Sequence, residues 1–168
     1  NSNFHMNSFF TGLEDFLRQF PDYREIQNIE RIKEKSSVLH LGMDLKKFDD
    51  YKTKEQLESP PLILWNHRWE HDKNPEAFFN ALDKLSKKGL EFKLAVLGQE
   101  FKKELLFFTQ ARKKLMKNIV QYGYTKSFEN YAKWLWKADI LPVTSNQDFF
   151  GGSIIEAVYC QTIPVLPR

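Results

Sequence analysis

Leu62-Ile63-Leu64-Trp65-Asn66-His67-Arg68-Trp69-Glu70-His71-Asp72-Lys73-Asn74-Pro75 is the stretch that decides the fold. Its first four residues are apolar without polar alternation, the pattern of a strand buried on both faces. Its last two are a helix start, with an Asn side chain to cap and a proline at the first helical position. A charged loop lies between. Strand, short loop and helix form the repeating unit of a parallel sheet covered by helices.

The rhythm continues downstream. Phe78, Leu82 and Leu85 line one helix face, and Gly89 stops that helix. Residues 92–97 predict a second strand closing at Gly98. Residues 101–117 predict a basic amphipathic helix, with Phe101, Leu105, Phe108 and Leu115 on one side. A third strand follows over 119–121, then a helix over 128–138 capped by Ser127, with Tyr131, Leu135 and Ala138 on its face. The fourth strand is expected over 140–143, a helix over 153–160 and a fifth strand over 163–166. The expectation is an α/β fold, a parallel sheet with helices on both faces.

Upstream the pattern changes. Phe9, Phe10, Leu13, Phe16, Leu17 and Phe20 recur at helical spacing, Asn7 or Ser8 can cap that helix, and Pro21 ends it. Ile26, Ile29 and Ile32 suggest a short second helix, and residues 38–41 read as a strand ending at Gly42. Residues 44–61 are charged and carry Pro60-Pro61, so they read as a linker. The expected division is 1–43, a linker over 44–61, and the α/β domain over 62–168.

Composition removes several classes of function. The single Cys among 168 residues forms neither an internal disulfide nor a Cys-rich zinc site. With 42% hydrophobic residues there is no case for disorder, and no apolar run approaches the roughly 18–20 residues of a membrane span. The net charge of +3 permits an anionic partner without demanding one. Gly-x-Gly-x-x-Gly, the phosphate-binding Gly-x-x-x-x-Gly-Lys-Ser/Thr loop and the Gly-x-Ser-x-Gly elbow are all missing. Cys160 falls late in a helix and reads as a small core residue rather than a nucleophile.

In a parallel α/β sheet, ligands bind beyond the C-terminal ends of the strands. Three loops there are unusual. In the first, Arg68 and Lys73 flank a turn at a helix start; two cations beside helix-end amides suit a diphosphate, or equally a solvated charged loop. His67 and His71 in the same loop lack a third ligand for a metal. The second loop is Asp148-Phe149-Phe150-Gly151-Gly152-Ser153, leading to Glu156. Its glycines let backbone amides approach a ligand, and a carboxylate there suits sugar hydroxyls; the plain alternative is a capped glycine turn. The third is Gly98-Gln99-Glu100, where Gly98 serves a close backbone approach or merely the turn.

These residues resemble the C-terminal half of a family 4 glycosyltransferase with the two-domain GT-B architecture. That family has Gly-Arg-x-x-x-x-Lys after the first strand of its second domain, matched by His67-Arg68 through Lys73. Its Glu-Pro-Phe-Gly-x-x-x-x-Glu-Ala motif is matched by Asp148-Phe149-Phe150-Gly151 through Glu156-Ala157. Ala138-Asp139 and Ser145 fit its Ala-Asp-x-x-x-x-x-Ser pattern, and Gly42, Asp44 and Phe48 fit its passage between domains. A narrower resemblance, to the tRNA-queuosine mannosyltransferase group, is carried by Asn1-Ser2-Asn3-Phe4 with Ser8-Phe9, by Leu64 through Lys73, and by Phe149 through Cys160. Three positions depart from the wider family: His67 stands for Gly, Asp148 for Glu, and Gly152 for a bulkier residue.

The resemblance implies a Rossmann-like donor domain over 62–168, a tail of the acceptor domain over 1–43, and a chain cut from a longer cytoplasmic transferase, inactive alone. It implies retaining, metal-independent transfer of mannose from GDP-mannose to queuosine in tRNA, with no cofactor beyond the nucleotide sugar. By resemblance Arg68, Lys73 and Asp148 are catalytic, the cations serving the diphosphate and Asp148 the donor sugar. Gly98, Tyr122, Gly123, Tyr124, Ser145, Phe150, Gly151, Gly152, Ser153 and Glu156 would line the nucleotide-sugar site, with Glu156 on the ribose and 122–124 near the base. His5 is a candidate acceptor-side residue after a first-domain strand. Lys102, Lys103, Arg112, Lys113, Lys114 and Lys117 form either a tRNA contact or a solvated helix face. Two competing readings stand beside this one: a transferase acting on a lipid or polysaccharide, and a donor- or RNA-binding module without catalysis.

Overall fold

The computed structural model describes residues 2–52, 60–98 and 106–167. The chain forms two units, Asn1–Met43 and Asp44–Arg168. The first holds helices α1 (Asn3–Arg18) and α2 (Asn28–Glu34). The cap of α1 is Ser2, whose hydroxyl accepts the His5 N–H at 3.1 Å, rather than Asn7 or Ser8. His5 therefore lies in the first turn of a helix and not after a strand. Phe10 and Ile29 are the buried apolar residues of this unit. The strand expected over 38–41 is absent: among the described residues no strand pairs with it, and Leu39 is 84% exposed. A strand needs a hydrogen-bonded neighbour, which its apolar residues cannot supply by themselves.

The second unit is built on five parallel strands: β1 (Leu62–Trp65), β2 (Lys93–Val96), β3 (Ile119–Tyr122), β4 (Ile140–Pro142) and β5 (Ile163–Val165). Their order in the sheet is β3-β2-β1-β4-β5. Helices α3 (Pro75–Lys87), α4 (Leu106–Lys114), α5 (Phe128–Lys137) and α6 (Gly152–Tyr159) connect them. The first part of the basic helix, with Lys102 and Lys103, and the loop residues Gln99 and Glu100 lie outside the described residues.

Strand alternation sends side chains to two cores. Leu62, Leu64, Ala95 and Leu141 pack against Leu135 of α5 and Ala157 and Cys160 at α6. Ile63, Trp65, Leu94 and Val96 pack against Phe78, Phe79 and Leu82 of α3 and Phe108 and Ala111 of α4. All four β1 residues are thus buried, as an unalternating apolar run demands. Cys160 is 1% exposed, and burial pushes its thiol up to about 12, so it stays protonated at neutral pH. Asp139 ties β1 to β4: its carboxylate accepts the Leu62 N–H at 2.7 Å, and its own N–H donates to the Leu62 carbonyl at 3.0 Å.

The stretch read as a linker begins inside this core. Lys46–Tyr51 form a 3-10 helix, and Phe48 is fully buried. The Phe48 carbonyl accepts from the Trp136 indole N–H at 2.7 Å, and the Tyr159 hydroxyl donates to Asp49 at 3.0 Å. Charged neighbours on either side of Phe48 hide it from a composition argument; its burial comes from the face of α5 it meets. Residues 53–59 lie outside the described residues.

Candidate functional site

The sheet runs from β1 to β2 in one direction and to β4 in the other, so the crevice beyond the C-terminal ends of β1 and β4 is its switch point. Two loops meet there, the one after β1 and the one between β4 and α6. They are stitched together by hydrogen bonds spanning more than seventy residues of sequence. The Thr144 hydroxyl donates to the Lys73 carbonyl at 2.9 Å, and the Asn146 N–H donates to the Asp72 carbonyl at 2.8 Å.

Lys73 is the centre of this junction. Only 7% of it is exposed. Its ammonium donates to Asp148 Oδ1 and to Asp72 Oδ2, each at 2.9 Å, and to the Gln147 carbonyl at 3.3 Å. Burial disfavours the charge, but the bonds to Asp148 and Asp72 outweigh it and raise the lysine above its usual pKa. Burial likewise pulls Asp72 upward, and the Lys73 hydrogen bond overrides that and holds its carboxyl below the usual range. Arg68 stands apart from the pair, paired at 3.1 Å with Glu70 while its side chain is 67% exposed. The loop thus separates its two cations into one buried between carboxylates and one exposed at the surface.

The residues before Arg68 hold the start of α6. Asn66 Nδ2 donates to the Ser153 carbonyl at 2.8 Å. His67 Nδ1 lies 3.3 Å from the Ser153 hydroxyl. His67 is 3% exposed, and its pKa is lowered to about 4, first by burial and also by nearby Lys73, with Asp148 working the other way. It is neutral at physiological pH. Trp65 Nε1, Asn66 Oδ1, His67 Nε2 and Ser145 Oγ are buried without a hydrogen-bond partner among the described residues. Three of them belong to the loops after β1 and β4, and orphaned groups of this kind call for a partner.

Helix α6 opens without a side-chain cap, from Gly151 at φ +70°. Gly151 takes the left-handed region that glycine enters freely, and the first amides of α6 are left for a ligand. Glu156 sits one turn in, where its Oε2 accepts the Tyr131 hydroxyl at 2.8 Å. Gly152, Ser153 and Phe150 are half-buried beside it.

Gly98 has a different task. A Cβ there would meet the His67 carbonyl oxygen at 2.3 Å, so its glycine lets the end of β2 close on the loop after β1. Trp69 seals the same contact, its indole N–H donating to the Leu97 carbonyl at 3.0 Å and its ring stacking on Phe108 at 4.3 Å. The 122–124 segment splits: Tyr122 packs on Trp69 and beneath Arg112, Gly123 turns at φ +96°, and Tyr124 is 66% exposed.

The crevice therefore gathers Lys73, Asp148, Ser145, Ser153, Gly151, Gly152 and Glu156, and leaves Arg68 and Tyr124 at the surface. Sequence reasoning missed Asn66 and Tyr131. Tyr131 sat on the apolar face of α5, where a phenol looks like one more core ring. Asn66, a polar residue directly following a buried strand, was the available signal.

This α/β architecture, with a polar crevice at the switch point, is one that glycosyltransferase domains share. The fold matches the C-terminal domain of a glycosyl transferase group 1 family protein from Francisella tularensis, with TM-score 0.58 and 19% identity over 73% of this chain and 69% of that one. It also matches a glycosyltransferase from Rickettsia africae, with TM-score 0.61 and 19% identity over 79% of this chain and 38% of that one. The model of the family described as glycosyl transferases group 1 matches residues 47–167, and the chain belongs to that family. Residues 1–43 match a second model, described as the N-terminal part of tRNA-queuosine alpha-mannosyltransferase. A tRNA-queuosine alpha-mannosyltransferase of Drosophila melanogaster is 32% identical over all of this chain and 46% of its own length. The chain thus spans about half the length of that curated relative. Among the described residues no helix is long and apolar enough to cross a membrane, and no three His, Cys, Asp or Glu side chains gather as a metal site.

Proposed function

We propose that this chain binds GDP-mannose for a retaining, metal-independent transfer of mannose to queuosine in tRNA. The observation that carries the donor site is the buried Lys73 ammonium paired with Asp148 at the switch point, beside the uncapped start of α6. The acceptor rests on the family match of residues 1–43 and on the Drosophila relative.

In this reading the diphosphate lies between Lys73 and the first amides of α6. Arg68, held only by Glu70 at the surface, swings onto the leaving phosphate. Charge grows on that phosphate as the glycosidic bond breaks, so cations placed there favour the transition state over the bound donor. Asp148 passes from Lys73 to the hydroxyls of the sugar, and Glu156 accepts from the ribose.

Calorimetric titration of the chain with GDP tests the site. Arg68→Ala and Glu156→Ala each weaken binding about tenfold or more, the scale of a lost charged hydrogen bond; unchanged affinity in both overturns the assignment. For the acceptor, radioactive mannose should enter tRNA that carries queuosine and not the same tRNA without it. Label appearing in lipid instead would overturn the acceptor.

A further inference from the structure

Glu156 is half-buried on α6, and its carboxylate is held on one side only. The Tyr131 hydroxyl donates to Oε2 at 2.8 Å, whereas Oε1 takes no partner among the described residues. Tyr131 comes from α5, on the other side of the helix pair, and its ring packs against the fully buried Phe48 with centroids 6.3 Å apart. Desolvation first, and then the neighbouring Glu156, raise the phenol's pKa well above its ordinary value. The hydroxyl is therefore a permanent donor, and its natural acceptor is the carboxylate.

Asn66 braces the same assembly from the loop after β1. Its Nδ2 donates to the Ser153 carbonyl at 2.8 Å and lies 3.5 Å from the Tyr131 oxygen. Asn66 is 7% exposed, and its Oδ1 has no partner among the described residues. The loop after β1 thus braces Tyr131 of α5 and the start of α6, the two elements that meet at this carboxylate. A group fixed this way loses little freedom when a ligand binds.

We propose that Tyr131, braced by Asn66, is a positioning residue for Glu156: it holds Oε2 so that Oε1 faces the vicinal hydroxyls of a ribonucleoside diphosphate. Tyr131 does not touch the ligand. Removing its hydroxyl frees the carboxylate to rotate and removes the preference for ribose. The inference rests on the assignment of Glu156 to the ribose made above.

The test compares GDP with its 2′,3′-dideoxy analogue by calorimetry on four chains: wild type, Tyr131→Phe, Glu156→Gln and the double variant. Wild type should prefer GDP. Tyr131→Phe should lose about tenfold in GDP affinity, on the scale of one charge-assisted hydrogen bond, and little for the analogue. The double variant should bind no worse than Glu156→Gln, because a residue acting through Glu156 has nothing left to act on. Thermal melts of each chain separate this from a packing defect, which would weaken both ligands alike. If Glu156→Gln loses the ribose preference but Tyr131→Phe keeps it, the positioning role is wrong and the ribose assignment stands. If wild type binds both ligands equally, the ribose assignment fails and the positioning role falls with it.

Discussion

The two ends of the parallel sheet both carry lysines, and they use them in opposite ways. At the C-terminal end, Lys73 is buried and bonded to Asp148, a residue from another loop. At the N-terminal end, α3 finishes with Lys84 and Lys87, and α4 finishes with Lys113 and Lys114, whereas Arg112 lies over the Tyr122 ring at the end of β3. Those charges are exposed, and the ion pair found among them, Lys87 with Asp83, joins residues one helical turn apart. Cations in the last turn of a helix complement its dipole, which explains them without a partner. The lesson is about placement. Among the described residues, Lys113 and Lys114 of the basic helix lie away from the polar crevice, so these two lysines give no support to an RNA contact beside the donor site.

The comparison can be broken most directly by removing one lysine from each end. Lys73→Ala removes a buried ammonium bonded to Asp72 and Asp148, and should cost about 1 to 2 kcal/mol, below the loss for a fully buried pair because the carboxylates left behind are solvent-accessible. Lys114→Ala should cost less than about 0.5 kcal/mol, as exposed charges do. Urea denaturation measures both, and equal losses would erase the distinction. Gly98→Ala probes how tightly the crevice end is built. With φ at +120° and the His67 carbonyl 2.3 Å from the new methyl, it should lose about 2 to 3 kcal/mol and shift the melting temperature down accordingly.

The third effect is a pH dependence. His67 has a pKa near 4 when folded against an ordinary 6.5, so between those values the unfolded chain binds more protons. Stability is then full above pH 6.5 and falls as pH drops toward 4. The loss should be about 2 kcal/mol, part of the roughly 3 that this shift allows in full. His67→Asn should flatten that portion of the stability curve, and an unchanged slope would show that the ring titrates normally.

Much of the second unit was legible because one physical signal marks it repeatedly. Unalternating runs such as Leu62–Trp65 belong to strands with helices on both sides, and Ser127 and Asn74 cap the helices they precede. Residues 38–41 misled because an apolar run carries no information about whether a neighbouring strand exists. Phe48 was hidden for the opposite reason: one aromatic among charges gives no periodicity, yet a single ring can fill a core. At the site, the charged and glycine positions stood out by their chemistry. Asn66 and Tyr131 did not, since their importance lies in hydrogen bonds to Ser153 and Glu156 from elements far away in sequence.

The clasp around Lys73 has one further consequence. One ammonium shared by two carboxylates leaves a cluster that is already over-neutralised. An incoming polyanion meets no bare cation there; it must evict a resident carboxylate, as ions trade places on an exchange resin. Few mobile salt ions are released in such a swap, so binding should depend on ionic strength less steeply than a count of its cations would suggest. The displaced carboxylates stay tethered a few ångströms away and compete for their old place. They are a built-in eluent, ready to return when the anion leaves.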